Sequence, residues 1–139
     1  MGQKTLVQRV KDRLAAKADR KYRDIHKKSI MANAREIIGA RLPVINALAS
    51  EIYLEIKNKS ADEIFADCDA LISSGIYDVR KTGIEAIWKA KKRYEKKHFG
   101  YINRWVRRDL EDWGDCDSLA THVAAEFLFK FPELLPEVL

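Results

Sequence analysis

Cysteine, glycine and proline are all scarce in this chain of 139 residues, which holds two, six and three of them. Two cysteines build no disulfide framework, so Cys68 and Cys116 read as reduced intracellular thiols. A chain so poor in glycine and proline, and rich in Ala, Leu, Ile, Lys, Arg and Glu, argues against a sandwich or barrel. Long apolar runs are missing too: none approaches the roughly 18 to 20 residues that a membrane span needs. The stretch from Met1 to Lys17 is charged throughout and lacks the apolar middle of a signal peptide. A cytoplasmic setting is the expectation. What is present is an apolar fraction of 47% beside a charged fraction of 34%, enough to close a core and too apolar for a disordered chain.

The net charge of +5 conceals an asymmetry. Residues 1–108 hold 25 Lys and Arg against 13 Asp and Glu, whereas residues 109–139 hold Lys130 alone against eight acids. One basic cluster runs from Lys4 to Lys28. The other comprises Lys89, Lys91, Lys92, Arg93, Lys96, Lys97, Arg104, Arg107 and Arg108. Such clusters suit a polyanion, because each neutralised phosphate releases counterions. They also suit plain solvated helix faces, since Lys and Arg favour helices.

The hydrophobic period is helical along the chain. Leu6, Val7, Val10 and Leu14 form a first stripe. A second helix is expected over 20–38, weakly striped by Tyr22, Ile25 and Ile30 and stopped by Gly39. Pro43 fits the first turn of a third, striped by Val44, Ile45, Leu48, Ile52 and Ile56. Ser60 and Glu63 spell a capping box ahead of Ile64, Phe65, Cys68, Leu71 and Ile72, with Gly75 as the stop. A fifth helix is expected from Tyr77 to about Lys97, carrying Val79, Ile84, Ile87, Trp88 and Tyr94. A short one after Gly100 carries Ile102, Trp105, Val106 and Leu110; Trp88 and Trp105 read as core. Residues 113–117 form a turn, Leu119, Val123, Phe127 and Leu128 stripe the last strong helix, and Pro132 starts another. No segment reads as a strand or a linker, so the expectation is one all-α domain over 1–139, a stack of roughly three helix pairs.

The stretch richest in chemistry is Trp113-Gly114-Asp115-Cys116-Asp117-Ser118, followed by a small apolar helix and Phe129-Lys130-Phe131-Pro132-Glu133-Leu134. It resembles the signature of DNA alkylation repair glycosylases built of HEAT-like helical repeats, in which a Trp precedes an Asp by four residues. Upstream, Ile38-Gly39-Ala40-Arg41-Leu42-Pro43 is similar to that family's glycine-to-proline turn, which approaches the DNA backbone. The resemblance implies a HEAT-like α-solenoid that excises cationic alkylated purines such as 3-methyladenine or 7-methylguanine from duplex DNA. It implies Asp117 as the catalytic carboxylate and Trp113 as the aromatic beside the lesion. Arg41, Pro43, Arg104, Arg107 and Arg108 become candidate DNA contacts, with no cofactor. It further implies that these residues are the N-terminal half of a longer architecture, whose C-terminal edge a second copy or a partner would cover.

Plainer readings stay open. Asp117 is also a natural N-cap for a helix starting at Ser118, Trp113 a core residue, and Arg41 an ordinary surface charge. A non-catalytic scaffold gripping DNA or a protein is the rival function. Asp115, Cys116, Asp117 and His122 match no zinc spacing, so no metal is expected. His26, His98 and His122 lack the partners of a nucleophilic site.

Overall fold

The computed structural model describes residues 4–29, 36–109 and 118–135, without the side chains of 26–29, 108 and 109. Its architecture is all-α and fits a HEAT-like stack of helices; among the described residues there is no strand, only one isolated bridge between Glu36 and Ile76. Helix α1 spans Leu6–Ala16, started by Thr5, whose hydroxyl accepts from the Gln8 amide at 3.1 Å. Its Val10 and Leu14 are fully buried. Helix α2 spans Arg20–Ser29, α3 Leu42–Ile56, α4 Ala61–Ile72 and α5 Tyr77–Lys89. Pro43 sits in the first turn of α3, and the Ser60–Glu63 capping box forms at the start of α4. Ile45, Leu48, Ile52 and Ile56 of α3 and all five expected positions of α4 are buried.

Helix α5 packs against both α3 and α4. Gly83 permits the close approach: a Cβ there would stand 2.9 Å from Ile72 Cγ1 and from Leu71 Cβ. Helix α6 spans Phe99–Arg104 and widens into a π-helical turn over Trp105–Asp109. A second π-helical turn, Leu119–Ala124, leads into α7, Ala125–Lys130, and Pro132–Leu134 form a 3-10 turn. Leu119, Val123 and Phe127 are buried as their four-residue spacing predicts, and Leu128 packs partly against the core.

Five expectations need correction. Residues 36–40 are not helical, so the second helix cannot run to 38. A carboxylate from α5 takes the amides of 38–40, and Gly39 turns the chain at φ +92°. Ile25, one of its stripe residues, is exposed. The fifth helix stops at Lys89 rather than near Lys97, giving way to 3-10 turns at Lys91–Arg93 and Lys96–His98. That break turns Tyr94 inward, where its hydroxyl donates to the Ile87 carbonyl at 2.8 Å and its ring stacks on Phe127 at 4.3 Å. Val106 is exposed while its neighbour Trp105 is fully buried, and Trp88 is only half-buried. Ile30 and Leu110, also placed on stripes, lie outside the described residues.

Candidate nucleic-acid interface

The turn before α3 is built by Asp78, a residue the periodicity does not single out. Its carboxylate accepts from the amides of Ile38 at 2.7 Å, Gly39 at 3.2 Å and Ala40 at 3.0 Å, and it is 1% exposed. Hydrogen bonds to a charged group are each worth roughly 1.5–3 kcal/mol, so this one side chain fixes the loop's path. Tyr77 adds a fourth strut by donating its amide to the Glu36 carbonyl at 3.0 Å. Gly39 must stay bare, because a Cβ would meet Arg23 Cβ at 2.3 Å. In the sequence Asp78 is marked only as an acid at the start of a helix, and acids are common in first turns.

Arg41 leaves this rigid turn toward solvent. Its Nε and Nη2 donate to Asp19 Oδ2 at 3.1 and 3.0 Å, and its guanidinium lies 4.9 Å over the Tyr22 ring. The Tyr22 amide first, and then Arg41, hold the Asp19 carboxyl below its ordinary value. Exposed pairs of this kind contribute about 0–1 kcal/mol, so a phosphate can replace Asp19 at little cost. Pro43 stands in the first turn of α3, where its missing N–H costs no hydrogen bond.

The second arginine group divides. Trp105 Nε1 donates to Asp69 Oδ1 at 2.8 Å and Ser73 Oγ to the same oxygen at 3.2 Å. Arg104 Nη2 lies 2.6 Å from that oxygen in ion-pair contact, without the alignment of a hydrogen bond, and the guanidinium covers Tyr101 at 4.9 Å. Arg104 is therefore bound into the α4–α6 contact. Arg107 is exposed, and no acid among the described residues pairs with it. The Arg108 side chain lies outside the described residues, as do Trp113, Cys116 and Asp117. The segment holding the two expected catalytic residues is entered and left by π-helical turns, Trp105–Asp109 and Leu119–Ala124. Such turns are rare and are frequent at functional sites.

Much of the second basic cluster is engaged. Lys91 approaches Glu126 at 3.9 Å, Lys96 Glu133 at 3.6 Å and Lys97 Asp62 at 3.1 Å. Arg93 donates to the carbonyls of Lys57 and Lys59 at 2.9 and 3.0 Å, closing the C-terminal end of α3. The acids of residues 109–139 that are described thus face the basic stretch before them. This is the pairing that charge counting could not supply.

Asp62, Glu95 and His98 bring ligand atoms within 4.8 Å of one another. His98 is buried, stacked 4.2 Å from Phe65, with Nδ1 accepting from the Glu95 amide at 3.1 Å and Nε2 beside Asp62 Oδ1 at 2.8 Å. An amide N–H at Nδ1 places the ring proton on Nε2, where it points at Asp62; neither nitrogen then has a free lone pair for a cation. His98 first, then Lys97, hold the Asp62 carboxyl low. The group is a hydrogen-bonded strut between α4 and the 3-10 turn that precedes α6. Elsewhere His122 stacks on Trp88 at 4.1 Å with Nδ1 3.4 Å from Glu85 Oε1, and burial pushes the Cys68 thiol up. Among the described residues no helix is long and apolar enough to cross a membrane.

A family model described as DNA alkylation repair enzyme matches residues 10–139. No curated protein and no solved structure matches the chain.

Proposed function

Because the chain belongs to the DNA alkylation repair enzyme family, we propose that it excises cationic alkylated purines, such as 3-methyladenine and 7-methylguanine, from duplex DNA. What carries this reading is a family match that runs through Trp113, Asp117 and the Phe129–Leu134 phrase. The chemistry suits those residue types. An N3- or N7-alkylated purine is already a cation and leaves readily, so general-acid help matters little. The barrier lies in the positive charge that develops on the sugar as the N-glycosidic bond breaks. Asp117 stabilises that charge and orients the attacking water, while Trp113 offers a π face to the cationic nucleotide, a contact of roughly 0.5–2 kcal/mol.

A carboxylate about 4 Å from the developing charge, at an effective dielectric near 20, is worth on the order of 4 kcal/mol. That corresponds to roughly a thousandfold in rate before desolvation is counted. On the binding side, the rigid Gly39–Pro43 turn presents Arg41, and Arg107 and Arg108 supply further phosphate contacts. Arg104 is assigned to packing instead.

A second reading, a helical scaffold that holds DNA or a protein partner without cutting any bond, draws support from the ion pairs that consume much of the 89–108 cluster and leave fewer cations for phosphates. Release of 7-methylguanine from alkylated duplex DNA separates the two. Wild type is expected to release the base and Asp117→Asn to fall by up to about a thousandfold at unchanged DNA affinity. No release by wild type favours the scaffold. DNA binding that ignores salt between about 50 and 200 mM defeats both DNA readings and leaves the protein scaffold.

A further inference from the structure

Across from the 3-10 turn that follows α5, the end of α7 forms the far wall of an open groove of about 450 Å³. Lys91, Lys92, Glu126, Phe129 and Lys130 line it. Phe129 is 85% exposed, whereas Phe127, one half-turn earlier, is fully buried. A lone exposed apolar side chain is ordinary; the setting of this one is not. Among the described residues, three ammonium groups and a single carboxylate surround it. Lys91 is steadied 4.9 Å over the Trp88 ring and 3.9 Å from Glu126. Lys130 donates to the Lys92 carbonyl at 3.1 Å. No acid among the described residues pairs with Lys92.

We propose that this groove binds single-stranded or extrahelical DNA, with Phe129 stacking on an unpaired base and Lys92 and Lys130 taking the flanking phosphates. A nucleotide is the ligand that offers a flat π face and a neighbouring anion together, and an open basic groove lets a strand run through. A purely acidic chain such as polyglutamate would satisfy the ammonium groups but leave the ring in water. The site rests on the DNA substrate of the family reading, not on base excision or on Asp117.

The test is anisotropy of a labelled oligothymidylate titrated with the full chain. Phe129→Ala is expected to weaken binding about tenfold, and an exposed ring can be removed without loss of folding. Phe129→Trp is expected to keep affinity and to add emission, over the three native tryptophans of the wild type, that is quenched as the strand binds. Lys92→Gln should lower the slope of log affinity against log salt by about 0.7. Unchanged affinity in Phe129→Ala, or an unquenched Phe129→Trp, overturns the proposal. So does displacement of the oligonucleotide by polyglutamate as readily as by unlabelled oligothymidylate, which would point to a protein partner. If wild type releases no 7-methylguanine yet binds oligothymidylate through Phe129, the excision reading falls and the groove stands. Base release with ring-independent binding leaves excision standing and removes the groove.

Discussion

Two arginines three residues apart have different employment. Arg104 is held against Asp69 and Tyr101, while Arg107 stands in solvent. Arg107→Gln is therefore expected to lower the salt slope of duplex binding by about 0.9 with the melting temperature unchanged. Arg104→Gln is expected to do the opposite, costing about 0.5–1 kcal/mol of stability and leaving the slope alone. Anisotropy at several salt concentrations and a thermal melt of each variant decide it; equal slopes for the two variants would remove the distinction. The spacing of these residues on a helix is readable in the sequence. Which one meets an acid is not, because Asp69 comes from another helix.

At the scale of elements, the contact between α4 and α5 is set by one missing methyl group. Replacing a helical glycine by alanine ordinarily gains about 1 kcal/mol. At Gly83 the new Cβ would press on Ile72 and Leu71 at 2.9 Å and on the Cys68 carbonyl at 3.2 Å, and overpacking costs about 1–3 kcal/mol. Gly83→Ala is expected to destabilise by up to about 2 kcal/mol in urea unfolding; a gain would show that α4 and α5 can part freely. Helices α3 and α4 are legible in the sequence because Pro43, Ser60 and Glu63 act within their own first turns. The ends of the second and fifth helices are not. Asp78, far along the chain, captures the amides of 38–40, and Tyr94 leaves the helical path to reach Ile87 and Phe127.

For the whole molecule, pairing between separate helices sets the response to acid. Glu55 joins α3 to α1: burial alone would raise its carboxyl, but hydrogen bonds from Arg9 and Arg13 bring it below the ordinary value. Asp62 is held low by His98 and Lys97, and Asp19 by Tyr22 and Arg41. Each binds fewer protons folded than unfolded, so its contribution is complete above the ordinary carboxylate range near pH 4 and is lost as pH falls through its own lower value. The melting temperature is expected to fall below about pH 4. A Glu55→Gln, Asp62→Asn double variant should start lower and show a shallower acid limb; an unaltered limb would mean other groups govern acid unfolding. By itself the sequence determined the all-α class, most of the buried stripes and the family, since periodicity, caps and the Trp113–Asp117 signature are local and survive without neighbours. Only the tertiary structure decided which charges are free: a Coulomb partner is set by distance in space, and residues such as Asp69, Asp78 and Glu126 reach theirs only after the helices stack.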